Sequence, residues 1–77
     1  MAQILLVDDD TNVLLTLAIA LRRQGHNVTV AQNGWQALNL LRRQNFEFLI
    51  SDVSMPGMTG IELAKRAHQM PSHPIIV

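Results

Sequence analysis

Four of the six acidic residues of this chain fall in two places: Asp8, Asp9 and Asp10 follow one apolar run, and Asp52 follows another. Grouped carboxylates can hold a cation, form an acid–base pair or accept a transferred group. Which of these they do depends on whether the two places meet in space. Gln3 to Val7 precedes the first acids and Phe46 to Ile50 precedes Asp52, and both runs read as short buried strands. After Asp52 comes Met55-Pro56-Gly57-Met58-Thr59-Gly60, which can continue neither strand nor helix. Asp52 therefore stands where a strand gives way to a loop, the edge at which open parallel sheets bind ligands. The structural alternative is an aspartate that opens a turn by bonding its own backbone.

The elements that must position these acids alternate along the chain. After Asp10 the pattern turns helical from Thr11 to Gln24 and stops at Gly25. Between Val13 and Leu21 only Thr16 is polar, a wider apolar face than one side of a sheet requires. Such a helix is either wedged between the sheet and a neighbouring helix or touches a partner. Asn27 to Ala31 alternates as a second strand. Asn33-Gly34 turns into a second helix, with Trp35 near its start as a packing or partly exposed residue, Ala37, Leu38 and Leu41 at helical spacing, and fraying at Arg42 to Asn45. Glu47 to Ser51 is the third strand. Thr59-Gly60-Ile61-Glu62 fits a capping box opening a third helix, which assigns Glu62 a structural role and sets Ile61, Ala64 and Ala67 on the buried stripe. Pro71 to Pro74 ends that helix ahead of Ile75-Ile76-Val77, a fourth strand. Short loops and alternating elements imply right-handed crossovers and a parallel sheet.

Loops that follow parallel strands leave the sheet at one edge, so the first acidic loop can approach Asp52 if the first and third strands are neighbours. Several carboxylates gathered there repel one another unless a cation neutralises them. With oxygen ligands and no Cys or His at that edge, the ion favoured is a hard one such as Mg²⁺.

Composition narrows the field. In 77 residues there is room for one small domain, burying about 60–65% of its unfolded surface. Cysteine is absent, so neither disulfides nor thiolate zinc sites reinforce the core. The start lacks a basic leader and no apolar run is long enough for a membrane span, so the expectation is a cytoplasmic protein. Net charge is zero, and Arg22-Arg23, Arg42-Arg43 and Lys65-Arg66 fall towards helix ends, where cations suit the macrodipole. That distribution, with few aromatics, supplies no nucleic-acid surface. A nucleotide hydrolase would need a Gly-rich loop ending in Lys-Ser or Lys-Thr, yet the only lysine is Lys65. Asp8-x-Asp10-x-Asn12 starts like a calcium loop but has Val13 where glycine is required and Ile19 where glutamate is required. A glycosidase pair lacks an aromatic cleft.

Taken together, the strand Ile4 to Val7 with Asp8-Asp9, the Asn33-Gly34 pair, the Asp52-x-x-Met55-Pro56-Gly57-Met58-x-Gly60 segment and Pro74-Ile75-Ile76-Val77 resemble the receiver domain of two-component response regulators. The resemblance implies a flavodoxin-like α/β fold with a parallel sheet, of which residues 1–77 would be the N-terminal part: four strands and three helices of a five-plus-five architecture. It implies a signalling element rather than an enzyme. Asp52 would be the phospho-acceptor, served by a histidine kinase or phosphotransfer protein. Mg²⁺ would sit between Asp9 and Asp52, with the Ser54 backbone carbonyl as a further ligand and Asp8 just outside the ligand set; Asp10 inherits no role. In the family a hydroxyl residue past the fourth strand and a lysine past the fifth bind the phosphoryl oxygens. Both would lie beyond Val77, and Lys65, in the third helix, does not replace the lysine. The expectation is then a partly uncovered first helix and an open sheet edge, with self-association through both. A receiver-shaped binding or dimerisation module without a working switch is the alternative function.

Overall fold

The computed structural model describes residues 1–77 as seven elements: β1 (Gln3–Val7), α1 (Thr11–Arg23), β2 (Asn27–Ala31), α2 (Gly34–Arg43), β3 (Phe48–Ser51), α3 (Gly60–His68) and β4 (Ile75–Ile76). All strand pairs are parallel, in the spatial order β2-β1-β3-β4. β1 is thus interior and β4 lies on an edge.

The unbroken apolar run of β1 has its reason in burial on both faces. Leu5 and Val7 point into a cluster with Ala37 and Leu38 of α2, Leu63 and Ala67 of α3, and Leu49 of β3. Ile4 and Leu6 point the other way, onto Leu14 and Ala18 of α1. The sheet is therefore covered by α2 and α3 on one face and by α1 on the other. Within residues 1–77 no second helix flanks α1. Leu14 and Ala18 are buried, whereas Val13, Leu15, Leu17 and Ile19 are exposed. The expected uncovering of the first helix is observed.

Two local expectations need correction. In α3 Ala67 is buried as expected and Ala64 is half-buried, but Leu63 and Gly60 are the other buried residues and Ile61 is 57% exposed, because a helix beginning at Gly60 turns residue 61 away from the sheet. Only half of the capping box forms: Thr59 Oγ1 accepts from the Glu62 N–H at 3.2 Å, but the Glu62 carboxylate lies 3.8 Å from Arg66 Nε, one turn on. The basic pairs do occupy last turns, and Arg22 also donates to the Val28 carbonyl at 2.9 Å. No helix is long and apolar enough to cross a membrane.

Candidate functional site

The pairing of β1 with β3 sets Val7 opposite Ser51, so the next residues, Asp8 and Asp52, leave the sheet side by side. Backbone hydrogen bonds carry the register one step beyond the strands. Asp52 N–H donates to the Val7 carbonyl at 3.0 Å, and Asp8 N–H donates to the Ala31 carbonyl of β2 at 3.2 Å. Two acidic loops more than forty residues apart in sequence are thereby held at one sheet edge.

Carboxylate oxygens of Asp8, Asp9 and Asp52 lie within 4.8 Å of one another, with Asp8 half-buried and the other two exposed. Asp8 Oδ1 accepts from the Asp10 N–H at 2.9 Å, whereas no group of the chain donates to the carboxylates of Asp9 or Asp52. The one ion pair of the molecule, Glu62–Arg66, lies elsewhere, so the three negative groups have no cationic partner within the chain. An exposed, oxygen-only donor set of this kind fits a hard divalent cation that retains water ligands.

Asp10 does not join the cluster. Its carboxylate turns back to cap α1, accepting from the N–H groups of Asn12 at 2.9 Å and Val13 at 3.3 Å. Adjacent identical residues thus divide the labour: Asp8 and Asp9 face Asp52, and Asp10 starts the helix. Ser54 is exposed two residues past Asp52, and no group of the chain donates to its carbonyl.

The loop from Val53 to Thr59 is held at several points. Met55 and Met58 are buried in the larger core cluster, so they anchor the loop as well as shape it. Gly57 has φ +80°, a conformation that favours glycine. Gly60 N–H donates to the Val53 carbonyl at 2.9 Å and closes the loop. Neither Gly34 nor Gly60 has a positive φ, so their need for glycine is one of space: a β-carbon at residue 34 would meet Met58 Sδ at 2.7 Å, and one at residue 60 would overlap the Asp52 carbonyl. In the sequence these two glycines stand at helix starts; the contacts that require them come from distant parts of the chain. Trp35, 56% exposed, stands over this loop with the Arg66 guanidinium 5.3 Å from its ring centre.

The profile of the response regulator receiver domain matches residues 4–77. The chain belongs to the response regulator receiver family. Over 77 residues this receiver domain is 38% identical to the transcriptional regulatory protein AfsQ1 of Streptomyces coelicolor, covering all of this chain and 34% of AfsQ1. Over 70 residues it is 41% identical to the response regulator receiver protein CpdR of Brucella abortus, covering 91% of this chain and 58% of CpdR. The chain thus spans about a third and just over half of these two curated relatives. Among solved structures, the response regulator TrrA of Thermotoga maritima in complex with Mg²⁺-BeF superposes with a TM-score of 0.91 at 33% identity, over 99% of this chain and 66% of that one. TrrA has also been solved in complex with the histidine kinase ThkA, with a TM-score of 0.90 at 33% identity over the same shares. The fold is that of receiver domains, flavodoxin-like and parallel.

Proposed function

We propose that this receiver domain accepts a phosphoryl group on Asp52 from a phosphohistidine of a histidine kinase or phosphotransfer protein, with Mg²⁺ as cofactor. The observation that carries this reading is the meeting of Asp8, Asp9 and Asp52 within 4.8 Å at the ends of β1 and β3. Asp9, Asp52 and the Ser54 carbonyl are the proposed ligands of the ion, and Asp8 lies just outside them. When bound, the ion neutralises charge on carboxylates and phosphoryl oxygens.

The rest falls to the chain itself. Asp52 is exposed and its carboxylate takes no hydrogen bond from the chain, so an oxygen is free to attack phosphorus. The new O–P bond forms as the P–N bond to the donor imidazole breaks. That nitrogen keeps the bonding pair and takes a proton from solvent, leaving an acyl phosphate on Asp52. Positioning is the protein's main contribution to such a transfer: the Asp52 N–H is held by the Val7 carbonyl at 3.0 Å, and the Asp52 carbonyl accepts from Ser51 Oγ at 3.0 Å and lies against Gly60. The domain is modified once per event and is not itself an enzyme. A cytoplasmic setting accords with the proposed donor.

Mass spectrometry after incubation with acetyl phosphate and Mg²⁺ tests the reading: one phosphoryl group on the wild type, none on Asp52→Asn. Equal labelling of both would overturn it.

The exposed apolar residues of α1, of the edge strand β4 (Ile75 and Ile76) and of Val77 after it favour a second reading. A second copy would cover them, making the chain a dimerisation module of receiver shape. Light scattering over a concentration series decides this: a concentration-dependent dimer supports it, and a monomer throughout removes it.

A further inference from the structure

Away from the acidic edge, two imidazoles come together. His68 closes α3 and His73 lies in the turn before β4, with ring centres 4.7 Å apart and planes at 47°. Both side chains are exposed. The remaining histidine, His26, is engaged elsewhere, its Nδ1 accepting from the Ala2 N–H at 3.1 Å. His68 and His73 have no hydrogen bond to the chain and no acidic partner, so all four of their ring nitrogens are available to an outside ligand.

The spacing carries chemical information. An imidazole bound through nitrogen at about 2.0 Å has its ring centre about 3.2 Å from the metal, so adjacent ligands have ring centres about 4.5 Å apart at a square-planar angle and about 5.2 Å at a tetrahedral one. The observed 4.7 Å lies between these values. Stacking alone also brings rings this close, with the exposed nitrogens hydrogen-bonded to water, so a metal titration is what separates the two.

We propose that His68 and His73 form a two-imidazole site for a borderline divalent cation of the Zn²⁺, Ni²⁺ or Cu²⁺ class, with water completing its coordination. Nitrogen ligands separate this site chemically from the acidic cluster, which suits hard ions. Binding would tie the last residue of α3 to the turn that feeds β4. The site is independent of whether Asp52 accepts phosphate.

Calorimetry with Zn²⁺ on the full chain, paired with NMR of the histidine side chains, tests it. In the wild type and in Asp9→Asn alike, Zn²⁺ moves the signals of His68 and His73 together while those of His26 stay, whatever additional Zn²⁺ the acidic cluster takes in the wild type. His68→Ala and His73→Ala each weaken binding by about tenfold or more, the effect of losing one of two metal–imidazole bonds. Both positions are exposed, and circular dichroism checks that each variant is folded. Unchanged affinity in either variant, loss of binding in Asp9→Asn, or no detectable Zn²⁺ binding would each overturn the proposal.

Discussion

Gly60 lies against the backbone of Asp52 so closely that a β-carbon at residue 60 would overlap the Asp52 carbonyl oxygen and come within 2.9 Å of its carbon. The neighbour is backbone and belongs to the residue proposed to react, so it cannot give way without moving the site. Gly60→Ala is expected to cost about 1–3 kcal/mol or more, by the rule for overpacking, and to weaken Mg²⁺ binding as the Asp52 peptide shifts. Urea denaturation and a Mg²⁺ titration of the same variant check both effects. Wild-type values in the two measurements would contradict the contact.

At Gly34 the obstacle is softer. A β-carbon there meets the Met58 side chain, with Sδ at 2.7 Å and Cβ at 2.9 Å. Gly34→Ala should therefore destabilise less than Gly60→Ala, and its cost should shrink when Met58→Ala is already present. The double variant then loses less than the sum of the single losses. Strict additivity in denaturation midpoints would count against direct packing of the two residues.

Asp9 and Asp10 should respond oppositely to substitution. Asp10→Ala removes the cap of α1 and is expected to cost about 0.5–2 kcal/mol while leaving the stabilisation by Mg²⁺ intact. Asp9→Asn is expected to keep the metal-free stability, since like charge is removed from the cluster, and to lose the response to Mg²⁺. Thermal melts with and without the ion separate the two roles.

If the acidic cluster binds Mg²⁺ only when folded, the melting temperature should rise with the logarithm of Mg²⁺ concentration above the dissociation constant. Chelation should reverse the rise, and Asp52→Asn should remove most of it. A melting temperature indifferent to Mg²⁺ would dismiss the ion site.

The phase of α3 gives a stability contrast. Leu63 is fully buried, so Leu63→Ala is expected to cost about 2–5 kcal/mol, enough to unfold much of so small a domain. Ile61→Ala, at a 57% exposed position, should stay within about 0.5 kcal/mol of wild type. Reversed magnitudes would mean that α3 packs with a different face.

That contrast also marks what could be read in the sequence. The bounds of β2 and the approach of Asp8 and Asp9 to Asp52 were legible, because alternation and the common edge of parallel strands are short-range rules with geometric consequences. The burial of Leu63 in place of Ile61 was not, since one residue of uncertainty in a helix start rotates the whole stripe by about 100°. Asp10 stands immediately before the expected helix start at Thr11, where an aspartate is a preferred cap, and reading the three aspartates as one cluster passed over that signal. The need for glycine at 34 and 60 was not legible, because Met58 and Asp52 reach them only through tertiary contact. His68 and His73 stand at H-x4-H spacing, a recurring half of zinc-binding patterns, but with no cysteines to complete it the pair was passed over.

The bonds from Asp52 N–H to Val7 and from Asp8 N–H to Ala31 have a consequence for folding. They form only after β1 has paired on both sides, the longest-range closure among the first three strands. Slippage of β3 by one residue would turn its apolar side chains to the wrong faces and carry Asp52 out of line with Asp8. A cation or phosphoryl donor at this edge would therefore discriminate between correctly paired chains and misregistered ones, and draw the folding equilibrium towards the former. Under the proposed function, only molecules that have finished folding would receive the phosphoryl group.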